Sequence, residues 1–401
     1  MTLYAPDNED GIADAIRAAN VDGAPLNIIG HGSKAALGRH APSERVLSTR
    51  GLAGVTLYEP EELVLSARAG TSLREIETLL DAHGQQLAFE PMDYGPLLGV
   101  APQGATIGGV VAVNASGPRR IKSGAARDHL LGFRCVTGRG DIVKSGGRVM
   151  KNVTGFDLSK LVAGSYGTLA ALTEVTFKVL PKPETEVTLL VIGLGEPESL
   201  AVLRRASATS CDVSSYAMLP PGMSPLLLPA NAAALRLEGP PISVAARRDD
   251  LRAALADSGV SFELLGEAQS RAFWRDLRDV TPLAACAGQV WRVLVAPTNG
   301  YSVVDALRRA DAPLVAHFYD WAGGLLWLCV EAASGAHAAS LRAIVDVLGG
   351  HATLIRASAE VRVRVDVFHP QPAPLAALTR RVKESFDPAH ILERGRLRAE
   401  F

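Results

Sequence analysis

The chain has 401 residues, which at roughly 150 residues per domain suggests two or three domains with ample material for a buried core. Hydrophobic residues make up 48% and charged residues 21%, ordinary globular usage that excludes a disordered chain. Lys and Arg number 41 against 42 Asp and Glu, a net charge of -1, so the electrostatic term that dominates nucleic-acid affinity is missing and no nucleic-acid partner is expected. The longest apolar stretches, such as Leu325 to Val330, fall far short of the roughly 20 residues that cross a bilayer. With no basic-then-apolar leader after Met-Thr-Leu-Tyr, the chain is expected in the cytoplasm, reaching a membrane only through partners. Cys135, Cys211, Cys286 and Cys329 stand at least 43 residues apart. That spacing carries no metal or iron-sulfur signature and reads as small buried hydrophobes.

Residues 8–20 place Ile12, Ala15, Ile16 and Ala19 on one helical stripe. Residues 25–29 then read as a short buried strand ending at Gly30, and residues 64–69 as another. Ser72-Leu-Arg-Glu75 is a capping box opening a helix with Leu73, Ile76, Leu79 and Leu80 inward, closed by His83-Gly84. Residues 134–137 and 142–144 read as a hairpin, and the alternation of Val175, Phe177 and Val179 with Thr176 and Lys178 as a half-buried strand. Leu180-Pro-Lys-Pro-Glu184 is a Pro-rich hinge that marks a boundary between domains 1–182 and 183–401. Beyond it the spacing predicts helices over 198–208, 244–257, 302–309 and 337–348. Strands are expected over 187–192, 291–295, 315–320 and 326–330. The class is α+β, one antiparallel sheet with helices packed on it.

Of 38 glycines, 24 fall in residues 1–182, so the front part is built around loops needing close backbone approach. Gly30-His-Gly-Ser-Lys34 directly follows a strand, where consecutive amides form a concave donor set suited to a diphosphate. Taken alone it reads as a surface turn. It lacks the third glycine of a dinucleotide-binding turn, and the chain has no Gly-Lys pair for a P-loop. Downstream, however, come Ala105-Thr-Ile-Gly-Gly109, Asn114-Ala-Ser-Gly117, Gly155-Phe-Asp157 and Gly164-Ser-Tyr-Gly-Thr-Leu169. Such a series points to one long ligand wrapped by backbone.

In this order the motifs resemble the FAD-binding domain of the vanillyl-alcohol oxidase superfamily, over about residues 1–183. Within it, Phe89-Glu90-Pro91, Lys151-Asn152-Val153, Trp321-Ala-Gly-Gly324 and Phe386-Asp-Pro-Ala-His-Ile-Leu392 resemble the FAD-binding E subunit of bacterial glycolate oxidase. The tail departs at Glu393-Arg394, where that family usually has Asn-Pro, which leaves the conformation of the last turn open. The resemblance implies a two-lobed FAD-binding domain with a C-terminal antiparallel sheet-plus-helices cap, and it implies site residues. Gly30, His31, Gly32, Ser33 and Lys34 match the pyrophosphate loop. Thr106, Ile107, Gly108 and Gly109 match the loop beside the flavin and diphosphate. Ser116, Gly117 and Gly124 match neighbours of the isoalloxazine. Gly164, Ser165, Gly167 and Thr168 match a further cofactor-facing turn, and Glu174 and Val175 the adenine end.

Relatives that link a loop histidine covalently do so at the position of Ser33, so the resemblance implies non-covalent FAD. Arg119, Arg120 and Lys122 are divided evenly between a solvated loop and contact with the cofactor's phosphates. Lys151 is a similar case. No catalytic acid or base can be assigned: His317 and His369 read as core or surface, and no metal set is seen. Trp321, at a Gly-Gly turn, is the one tryptophan that reads as a candidate for a subunit interface. The implied function is oxidation of glycolate to glyoxylate in a complex with a paralogous catalytic flavoprotein subunit and an iron-sulfur subunit. The alternatives are a self-sufficient oxidase or dehydrogenase of another hydroxy acid or polyol, and a scaffold subunit that binds FAD without catalysis.

Overall fold

A computed structural model describes the chain except Met1, Gln103, residues 149–154, Ser224, Pro225, Leu227, residues 257–259 and Asp311. It divides into two compact units, one of residues 1–116, 124–182 and 366–401, the other of 117–123 and 183–365. The expected boundary at 182/183 left the tail with the second domain. The tail instead belongs to the first unit, because Ile391 and Leu392, both fully buried, complete a core with Ile12, Ile16, Leu26, Leu47 and Val136. The segment 117–123 goes the other way.

The first unit holds two larger sheets and a two-stranded pairing of Gln85–Gln86 with Leu180–Pro181. In one, the strands Thr2–Tyr4, Arg45–Ser48 and Leu26–Ile29 run parallel in that spatial order. The other is antiparallel and five-stranded, ordered Val55–Glu59, Val64–Arg68, Ala170–Lys178, Leu130–Thr137, Ile142–Gly146. The hairpin expected around residue 140 is its edge. Ala170–Lys178 is central and buried on both faces rather than half-buried, since Thr176 is only 8% exposed and bonds Ser66 at 2.8 Å. The helix Glu9–Asp22 starts at Asn8, whose side chain accepts the Gly11 amide, and stops at Gly23 in the left-handed region.

The second unit is one eight-stranded sheet, antiparallel throughout. The four expected helices lie close to the observed Glu196–Ser207, Pro241–Ala254, Gly300–Arg309 and Ala338–Val347. Two long helices, Glu267–Arg278 in the second unit and Ala373–Phe386 in the first, were not anticipated, nor were shorter ones such as Ile107–Val113 and Ala359–Arg364. Ala373–Phe386 buries only Lys383, so it carries no inward apolar stripe to betray it.

Candidate functional site

The strand Leu26–Ile29 delivers the chain into Gly30-His-Gly-Ser-Lys34 with Gly32 at φ +87°. Gly30 must be glycine for a reason other than its dihedral: a Cβ there would overlap the hydroxyl of Thr106 and sit 2.9 Å from its methyl. Arg50 gathers the loop's carbonyls, donating Nε to Gly30 O at 3.1 Å and Nη2 to His31 O at 3.2 Å. Among the described residues the amides of His31, Gly32, Ser33 and Lys34 donate to no protein acceptor. With its carbonyls turned to a guanidinium, the loop keeps its donors for something else.

Facing it is the helix Ile107–Val113, capped by Thr106, whose hydroxyl accepts the Gly109 amide at 3.3 Å. Backbone bonds from Ile107 N to Thr71 O and Gly108 N to Ala69 O fix this turn. They bring it so close that a Cβ on Gly108 would lie 2.8 Å from Ala69 O. Ile107 and Gly108 thus anchor the turn, while Thr106 and Gly109 line an open cleft with the loop residues, Tyr166, Glu393 and Arg396.

The cleft's chemistry is set by Lys34. Its ammonium is buried and has no hydrogen-bond partner. Burial pushes it down to about 8, with Asp93 pulling weakly the other way. His31 is also lowered, by burial and then by Arg50, so it is held neutral at pH 7. A buried cation without a hydrogen-bond partner, beside four free amides and Gly32 with open space about it, fits the diphosphate of a dinucleotide cofactor.

The turn Gly164–Thr168 sits on the same helix: Gly164 N bonds Val111 O at 3.0 Å and Tyr166 N bonds Ala112 O at 2.7 Å. Tyr166 lines the cleft, and Gly167 stands where a Cβ would meet Glu393 Cγ at 3.3 Å. Ser165 and Thr168 are buried and bonded to each other. Ser116 accepts the Ala126 amide and Gly124 turns at φ +87° against Asp128, neither lining the cleft. Gly117 lies in the second unit. Val175 is in the core and Glu174 lies beside it on the sheet's central strand, away from the cleft. Lys151-Asn152-Val153 falls outside the described residues.

Each member of the basic cluster has a protein partner, although Lys122 is also exposed to solvent. Arg119 pairs with Glu238 inside the second unit, Arg120 lies 4.8 Å over the Trp321 ring, and Lys122 pairs with Asp212. Trp321 is equally occupied, with Arg292 5.3 Å from its ring and its indole N–H donated to Gly117 O. His317 is buried, sharing Glu196 with Tyr319 and Arg308. Arg50, Tyr166, Glu393 and Arg396 escaped the sequence reading. Only the departure of the tail at Glu393-Arg394 pointed toward any of them. Among the described residues no group of three or more His, Cys, Asp or Glu is placed to hold a metal, and no helix is long and apolar enough to cross a membrane.

The fold and the cleft belong to a class. Residues 2–146 match the FAD binding domain family, and an alkyldihydroxyacetonephosphate synthase structure superposes with a TM-score of 0.71 at 16% identity, over 97% of this chain and 75% of that one. The protein is therefore a flavoprotein of the vanillyl-alcohol oxidase fold, in a family of FAD-dependent oxidoreductases. More narrowly, it is 35% identical over 98% of both chains to the glycolate oxidase subunit GlcE of Escherichia coli K12, and it belongs to that glycolate oxidase subunit family. The glycolate oxidase subunit GlcD of Bacillus subtilis is 32% identical over 47% of this chain and 39% of its own length. A D-lactate dehydrogenase of Archaeoglobus fulgidus is 31% identical over 48% of this chain and 41% of its own length.

Proposed function

We propose that the chain is the FAD-binding subunit of a glycolate oxidase or dehydrogenase complex, oxidising glycolate to glyoxylate together with a paralogous catalytic flavoprotein subunit and an iron-sulfur subunit. The carrying observation is the buried, unpartnered Lys34 ammonium aimed into a glycine-lined cleft. Non-covalent FAD, when bound, supplies the two-electron acceptor. The chain's residues do the holding. Loop amides 31–34 and Lys34 neutralise the diphosphate, Gly30 and Gly109 let Thr106 close against the loop, and Thr106 and Tyr166 wall the cleft. Within the first unit, Ser116, Gly124, Gly164, Ser165, Gly167, Thr168, Glu174 and Val175 support the remaining length of the cofactor by shaping the turns and the strand around it. The loop position at which relatives link a histidine covalently is Ser33 here, buried beside Gly104, which supports non-covalent binding.

Acid precipitation of the purified yellow protein tests the cofactor: free flavin in the supernatant is expected, and a coloured pellet overturns the non-covalent assignment. Reconstitution of the complex with Lys34→Met tests the function. Loss of both flavin and glycolate oxidation is expected. Full complex activity without flavin on this chain would make it a scaffold, and turnover by the isolated chain with an artificial acceptor would make partners unnecessary.

A further inference from the structure

The Glu393 carboxylate reaches the cleft from the far end of the chain. It accepts the Ile28 amide at 2.7 Å through Oε1 and Arg396 Nε at 2.9 Å through Oε2. Arg396 in turn donates Nη1 to Ala35 O at 2.8 Å and Leu37 O at 2.9 Å, while its own carbonyl accepts the Arg39 amide at 2.8 Å. One acid-base pair therefore grips the strand that enters the glycine loop and the segment that leaves it. Both side chains are buried, 2% and 8% exposed. Glu393 adopts φ +47° and donates its amide to Leu26 O at 2.9 Å, a left-handed backbone that a non-glycine residue keeps only where its surroundings impose it. Gly38 makes room for the guanidinium, since a Cβ there would lie 2.7 Å from Arg396 Cδ. Among the described residues Arg396 Nη2 has no protein acceptor.

We propose that Arg396, oriented by Glu393, is a positioning residue of the cofactor cleft, setting the separation of Ile28 from the 35–37 rim so that the loop amides and Lys34 converge on a diphosphate. The planar fork is suited to this, because one guanidinium serves a carboxylate and two carbonyls at once. The pairing also cancels the Glu393 charge, which would otherwise repel the ligand it borders.

The proposal rests on the cofactor reading, and its test separates the two. FAD affinity is measured on the full apo chain by flavin fluorescence, with ADP as competitor because ADP carries the diphosphate without the flavin. Arg396→Met is expected to weaken FAD and ADP alike by at least tenfold. Arg394→Met, which removes tail contacts to the His390 and Gly23 carbonyls outside the cleft, is expected to leave FAD affinity within threefold of wild type. Should Arg396→Met not accumulate as soluble protein, Arg396→Lys is read instead, with at least a threefold loss expected because a point charge cannot hold three acceptors in one plane. Unchanged affinity in the variant that is read, or equal weakening by Arg394→Met, overturns the positioning role. A wild-type chain that binds neither FAD nor ADP ends the cofactor reading as well.

Discussion

In the cleft, Lys34 is buried with nothing to bond; in the second unit, Arg119 and Arg236 are buried facing Glu238 and Glu186. The second arrangement is closed. Arg236 also donates to Ser215 and stacks 4.7 Å over Trp274, and Glu186 accepts from Ser270 at 2.7 Å. Burial alone would raise the Glu238 carboxyl, but Arg236 and Arg119 outweigh it and hold it at about 2. Glu186, farther from its cations, is raised by burial. A compensated cluster of this kind fixes structure, whereas an uncompensated cation is a cost that only a ligand removes. The first unit contains its own control: Lys383 is as deeply buried, yet bonds Asp387 at 2.6 Å, Thr168 O at 2.7 Å and Leu392 O at 3.0 Å.

The contrast between satisfied and unsatisfied charges is open to attack at several points. The largest effect is expected from Lys383→Met, which strands Asp387 in the core: about 3–5 kcal/mol of stability should be lost in denaturant unfolding, and a loss under 1 kcal/mol would mean the pair is not a lock. Lys34→Met should act with opposite signs on two readouts. FAD affinity should fall about a hundredfold, or about 2.7 kcal/mol, in equilibrium titration. The apo chain should meanwhile become more stable, because lowering Lys34 from 10.5 to about 8 costs about 3 kcal/mol at pH 7. A destabilised apo variant would show that Lys34 has a hidden partner.

The same shift makes binding depend on pH. A lysine lowered in the folded apo state penalises folding below pH 10.5, so apo stability should rise from pH 7 toward pH 10. FAD favours the charged form, so its affinity should be constant below pH 8 and fall about tenfold by pH 9; titration across this range showing no change would detach Lys34 from the ligand. The smallest effect is expected from Arg120→Met. Removing one of the two guanidinium contacts on Trp321 should cost about 0.5–1 kcal/mol in thermal unfolding, with FAD affinity untouched, and a matching loss of flavin would return that cluster to the cofactor.

Much of the cleft was legible before any coordinates, for local reasons. Gly30, Gly32, Thr106 and Gly109 sit at turns whose residue types follow from backbone geometry, and Lys34 is adjacent in sequence to the loop it serves. The basic residues 119–122 were not legible, because whether a cation meets a phosphate or a carboxylate depends on which strand lies across from it; here that strand carries Glu238, 119 residues away. Arg50, Glu393 and Arg396 act through long-range contacts that no spacing rule encodes. The strand Ala170–Lys178 was expected half-buried because alternation identifies a strand without saying whether it is central or at an edge.

Composition, turn chemistry and motif order thus determined by themselves that the chain is a two-part α+β protein whose front half wraps a long cofactor, since these are properties of neighbours along the backbone. Which cations would be neutralised and which left exposed to a ligand was decided only in three dimensions. So was the return of the tail to the first core, with Glu393 and Arg396 brought to the glycine loop. Contacts such as Arg119 with Glu238 and Glu393 with the Ile28 amide join distant segments, and only the folded chain brings them within hydrogen-bond reach.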